Sequence, residues 1–132
     1  MPIEYKVDLE RHLIISTAGN RLTKEEFMDY IQQITSYRQT GVFDQLVDLS
    51  AVQEVDLPTT KILQSFVKIA TRADKPNYVS KLAIVATSDL IFGLSRAYAA
   101  YRDLENSSTT KVAILKSLDA AVLFLEYPTK LD

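Results

Sequence analysis

Three short stretches of this chain are apolar almost throughout: Gln45–Leu49 (QLVDL), Lys81–Ala86 (KLAIVA) and Lys111–Leu115 (KVAIL). A strand that is apolar at successive residues has no wet face, so it must be covered on both sides. Helical periodicity follows each one, over about 57–73, about 89–105 and about 118–126. Parallel neighbours require a crossover, and these helices supply it. The pattern predicts an α/β fold with a mostly parallel sheet. At 132 residues and 47% hydrophobic, the chain has the size of one domain, 1–132, with a core that needs no staples.

The N-terminal part follows a different rule. Ile3, Tyr5, Val7 and Leu9 alternate with Glu4, Lys6 and Asp8, as in a strand with one wet face at a sheet edge. His12 to Thr17 makes a second strand after the Glu10-Arg11 connection, so the two form an antiparallel hairpin. Ala18-Gly19-Asn20 reads as a turn. Thr23 with Glu26 is a capping box, and Leu22 with Phe27 has the spacing of a hydrophobic staple. Phe27, Ile31 and Ile34 lie on one helical face, with Gly41 as the stop. The later helices carry the stripes Leu63-Phe66-Val67-Ala70 and Leu90-Leu94-Ala97-Tyr98-Tyr101, and Pro128 ends the last one. The whole is a five-stranded sheet with four helices, in the order β-β-α-β-α-β-α-β-α.

Composition removes several function classes. There is no cysteine, hence no disulfide, thiolate nucleophile or cysteine-held metal. A single histidine, His12, leaves no histidine pair for zinc or catalysis, and its place between two strands makes it an exposed polar residue. A net charge of −2 gives no general attraction to nucleic acid. Lys68, Arg72 and Lys75 read as the solvated C-terminal end of a helix, where cations are favoured. No signal-peptide pattern opens the chain and no apolar run reaches membrane-span length, so the expected location is cytoplasmic. No cofactor motif is present: there is no Gly-rich phosphate loop and no Gly-x-Ser-x-Gly around Ser88.

Open α/β sheets bind ligands beyond the carboxyl ends of their parallel strands. Three segments meet there. The first runs from Asp48 to Thr60; Asp56 is suited to N-cap the following helix, Pro58 to sit in its first turn, and Asp56, Thr59 and Thr60 to make polar contacts. Asp48 and Asp56, or Asp48 and Asp89, are carboxylate pairs on paper only, because spacing fixes no geometry. The second is Thr87-Ser88-Asp89 with Phe92, Gly93 and Arg96 behind it. Hydroxyls and free N–H groups suit an anion there, while Asp89 at the helix's positive end opposes one, and capping by Ser88 or Thr87 competes. The third, Lys116-Ser117-Leu118-Asp119, is a plain cap with an acidic first turn.

The strand order, the segment Leu46-Val47-Asp48-Leu49-Ser50-Ala51-Val52 and the helix after Asp56 resemble the STAS superfamily, the anti-sigma-factor-antagonist or SpoIIAA-like fold. Lys81–Val85, Ser88–Tyr98 and Ser117–Leu125 are similar to an uncharacterised bacterial SpoIIAA-like subgroup. The resemblance spans nearly the whole chain. It implies a regulatory module switched by phosphorylation of a serine in an Asp-Ser-Ser-Gly motif. Here the matching residues are Asp56-Leu57-Pro58-Thr59, so leucine stands at the acceptor position and that switch is not expected.

Two functions fit. One is a non-enzymatic module that binds a protein partner through the helix after Asp56 and the Thr87–Asp89 turn, with Asp56 and Arg96 contributing. The other is a binder of a small or lipid-like molecule between sheet and helices, with Phe92, Tyr98 and Tyr101 lining the pocket and Arg96 holding a polar head. A carboxylate enzyme has no nominated substrate. Homo-oligomerisation is compatible with each.

Overall fold

A computed structural model describes residues 3–105 and 107–126. The edge hairpin forms as its alternation predicts: β1 (Glu4–Asp8) pairs antiparallel with β2 (Leu13–Thr17), in a register that sets Lys6 opposite Ile15. His12 closes the connection with φ 50°, a left-handed conformation that a turn demands and few non-glycine residues adopt. It stays exposed, as its position predicts.

The three apolar stretches are β4 (Asp44–Asp48), β6 (Ser80–Val85) and β7 (Thr110–Leu115). The sheet order is β1-β2-β4-β6-β7, and every pairing after the first is parallel. The period of two divides each strand between two cores. On one face Ile14, Val47, Leu82 and Ile84 join the main cluster. On the other, Leu46, Ala83 and Val85 pack against Ala121 of α4 (Leu118–Glu126).

The main face is covered by α1 (Lys24–Arg38), α2 (Thr60–Thr71) and α3 (Asp89–Asp103). The Thr23 capping box is complete: Glu26 N–H donates to Thr23 Oγ1 (3.1 Å) and Thr23 N–H to Glu26 Oε1 (3.0 Å). Leu22 is buried beside the helix start and Phe27 packs on the same core, where a staple belongs. The helix ends at Arg38 with Gln39 as C-cap, two residues before Gly41, whose φ is not positive. Ser88 and Ser117 cap α3 and α4 by accepting from Ile91 N–H and Ala120 N–H.

Three expectations are corrected. The α2 cap is Thr59, not Asp56: Thr59 Oγ1 accepts from Ile62 N–H (3.2 Å), and Pro58 precedes the helix rather than opening it. Proline disfavours helical backbone at the residue before it, so a helix starting at Leu57 is opposed. Asp56 instead follows β5 (Glu54–Val55), its N–H donating to the Leu22 carbonyl. That bond belongs to a small second sheet the sequence did not announce, β3 (Arg21–Leu22) parallel to β5 (Glu54–Val55). Leu90, assigned to the α3 stripe, is exposed, and Ile91 is buried in its stead. Pro128 lies outside the described residues. Among the described residues no helix is long and apolar enough to cross a membrane.

Candidate functional site

Between the main sheet face and α1, α2 and α3 lies a cavity of about 90 Å³. Its walls are apolar. Val47, Leu82 and Ile84 form the sheet side, while Ile31, Leu63 and Phe66 are among the helix residues opposite. The lining follows β4 and the residue after it, from Gln45 to Leu49, about 13 Å at ~3.3 Å per residue, so the space is long and narrow. Lining residues that reach solvent include Thr23 at the α1 cap, Lys24, and Asp56 and Pro58 before α2, all at the carboxyl end of the strands. That is the mouth.

The other end of the cavity is polar and closed. All three helices run opposite to the parallel strands, so their C-terminal ends converge where β6 and β7 begin. Arg38 in the last turn of α1, Asp74 just after α2 and Arg102 in the last turn of α3 meet there. Asp74 Oδ1 accepts from Arg38 Nη2 (2.6 Å), Arg102 Nη2 (2.8 Å) and Thr110 Oγ1 (2.8 Å), and Oδ2 accepts from Thr109 N–H. The three charged side chains are 4%, 0% and 1% exposed for Arg38, Asp74 and Arg102. Arg38 Nη1 also donates to the Ala70 carbonyl of α2 and Arg102 Nη1 to Tyr98 Oη (3.0 Å). The cluster ties three helices to the sheet.

Burial alone would raise the Asp74 carboxyl, but the guanidinium charges of Arg102 and Arg38 and their hydrogen bonds outweigh it and hold it below the usual carboxylate range. Burial also lowers Arg38, against the pull of Asp74. Tyr30, on the cavity wall, donates to Ser16 Oγ (2.6 Å), and its burial raises the phenol far above its ordinary value.

Of the residues nominated from sequence, two line this cavity: Tyr98 inside and Asp56 at the mouth. Arg96, expected to hold a polar head, is exposed and outside it. Two residues along a helix turn about 200°, so Arg96 and Tyr98 face nearly opposite ways. Phe92 and Tyr101 pack on the core without lining the space, and Lys116 Nζ sits 5.1 Å over the Phe92 ring. Asp48 accepts from Ser50 N–H, Thr87 Oγ1 donates to the Ser50 carbonyl (3.4 Å), and Thr59 and Ser88 are caps. Thr60 and Asp89 open their helices, exposed. These residues share the carboxyl end of the sheet, but they build no common pocket. Among the described residues, no group of three or more His, Cys, Asp or Glu is placed to hold a metal.

A search of solved structures finds the same architecture in an uncharacterised protein of the DUF3478 family from Shewanella loihica PV-4, whose fold is SpoIIAA-like. The TM-score is 0.59 over 94% of this chain and 93% of that one, at 13% identity. The fold is SpoIIAA-like. At that identity the likeness establishes fold and leaves function to the chain's own site. A scan against protein-family profiles and a search of curated proteins find no match.

What sequence reasoning missed is the arginine pair. The signal was present. Arg38 continues the Ile31-Ile34 stripe by one turn, and Arg102 follows Tyr98 by four residues. A charged residue that extends an apolar stripe is buried only with a partner.

Proposed function

We propose that this protein is a binding module for a small, narrow, predominantly apolar molecule held between α1–α3 and the sheet. The carrying observation is the void. Interiors are close-packed, and an unfilled cavity costs about 24 cal/mol per Å³. For about 90 Å³ that is roughly 2 kcal/mol. A ligand that fills the space recovers this cost, and the apolar walls favour an apolar guest. The volume is below the ~300 Å³ of ordinary ligand pockets. A guest longer than a few carbons therefore widens the space, most easily at the mouth, where residues 54–58 form only the two-residue β5 and a loop.

The test uses Nile red, an uncharged apolar fluorophore, with 1-hexanol and 1-octanol as competitors. The reading expects saturable fluorescence that the alcohols displace and that Ala70→Leu, which fills the cavity wall, abolishes while the fold is retained. Fluorescence unaffected by Ala70→Leu, or no saturable binding, overturns it.

A second reading rests on a different observation. Leu57, two residues before the α2 cap, is 61% exposed, and Leu90 on the first turn of α3 is half exposed at the same end of the sheet. With Asp56, Thr59, Thr60 and the Thr87–Asp89 turn they make a mixed surface suited to a protein partner. A partner held there is released by Asp56→Ala or Leu57→Asp. Capture unaffected by both substitutions sets this reading aside.

A further inference from the structure

We propose that the ligand of the cavity carries an anionic head, a carboxylate in chemical class, which enters first and rests on Arg102 and Gln45 at the closed end. The inference rests on the binding reading above and adds the ligand's charge and its orientation.

Two guanidiniums share one carboxylate in a volume closed to solvent. Lys75 adds a third cation, its Nζ donating to the Arg38 carbonyl. The C-terminal ends of α1, α2 and α3 offset part of this, each with roughly half a negative charge. Positive charge still remains in excess. Asp103 and Glu105 flank Arg102 in sequence, but among the described residues neither pairs with it. Asp74 has no capacity to spare, with both oxygens occupied by three side-chain donors and one backbone donor.

The cluster is also incomplete at Arg102, which belongs to the cavity lining. Arg102 lines the cavity, is 1% exposed, and its Nε–H has no acceptor. Gln45 lines the same end and is buried, and its amide carries further N–H donors for a guest. A buried donor left unmade is costly, so the Arg102 Nε–H awaits an acceptor. A carboxylate takes several donors at once and supplies the missing charge, and its alkyl chain then runs toward the mouth along Val47 and Ile84.

The experiment needs no variant that risks the fold. Hexanoate and octanoate are compared with 1-hexanol and 1-octanol on the wild-type protein at pH 7, by calorimetry and by displacement of Nile red. The proposal expects each acid to bind about tenfold or more tighter than the alcohol of equal length. Gln45→Leu should shrink that ratio and leave the alcohols unaffected. Acids equal to or weaker than the alcohols overturn the anionic head and leave the apolar site standing. Failure of both acids and alcohols to bind overturns the site and the head together.

Discussion

Asp74→Asn is the sharpest test of how the fold is held. The substitution keeps the shape and removes the charge that two guanidiniums share. Arg38 and Arg102 are 4% and 1% exposed in their side chains, so neither can turn to water for compensation. Breaking a buried pair by removing one partner costs about 3–5 kcal/mol. With three helices joined at this point, the upper half of that range applies. Domains of this size have a total of about 5–15 kcal/mol, so the variant should fold yet unfold at much lower urea. Urea titration followed by circular dichroism reads the loss as a fall in midpoint at constant slope. Asp103→Asn, on the exposed neighbour, is the control. A loss under about 1 kcal/mol for Asp74→Asn, or equal losses for both variants, refutes the argument.

The same group gives a pH signature. The Asp74 carboxyl is depressed in the folded state, so its contribution is complete well above its ordinary value of 3.8 and is lost as pH falls through the lower folded value. Wild-type stability should therefore drop as acid is added below pH 3.8, and Asp74→Asn should show a shallower acid dependence. Parallel acid profiles contradict this assignment.

Other substitutions test separate parts. Thr23→Ala removes the capping hydroxyl of α1 and should cost about 1 kcal/mol in thermal or urea unfolding; no change contradicts the cap. Tyr30→Phe leaves Ser16 Oγ buried without its donor and should cost about 1–3 kcal/mol, whereas a neutral outcome shows that the bond contributes little. Ala70→Leu should raise stability by up to about 2 kcal/mol by occupying the void, and a lower melting temperature shows that the wall cannot accept the added volume. His12→Val should destabilise by at least about 1 kcal/mol because a β-branched residue resists φ 50°, while His12→Gly should be neutral or stabilising.

The fold was legible where one local rule decided it. Strict alternation placed β1 at the edge, and unbroken apolar runs placed β4 and β6 inside, while β7, with a similar run, forms the opposite edge and is only half-buried. The Thr23-Glu26 pair marked the start of α1 to the residue. Legibility failed where tertiary partners decide. Two residues each of β3 and β5 carry no pattern of their own, and they pair because the chain returns past Asn20 and Leu22. Asp56 and Thr59 are both good caps by type, and the choice fell to Pro58 between them. The site was half legible. Fold rules directed attention to the carboxyl ends of the strands, which is where the cavity opens. The charged groups lie at the opposite end, because Arg38 and Arg102 in the last turns of α1 and α3 and Asp74 just after α2 are 28 to 64 residues apart in sequence and only packing unites them.

The most direct test of the central claim is methyl NMR on the Ile-labelled and Leu-labelled protein titrated with octanoate. The account predicts saturable shifts at Ile31, Leu63, Leu82 and Ile84, which line the cavity, and unmoved signals at Ile15, Leu115 and Leu125 on the α4 side. Shifts confined to the α4 side, or none at saturating octanoate, contradict it.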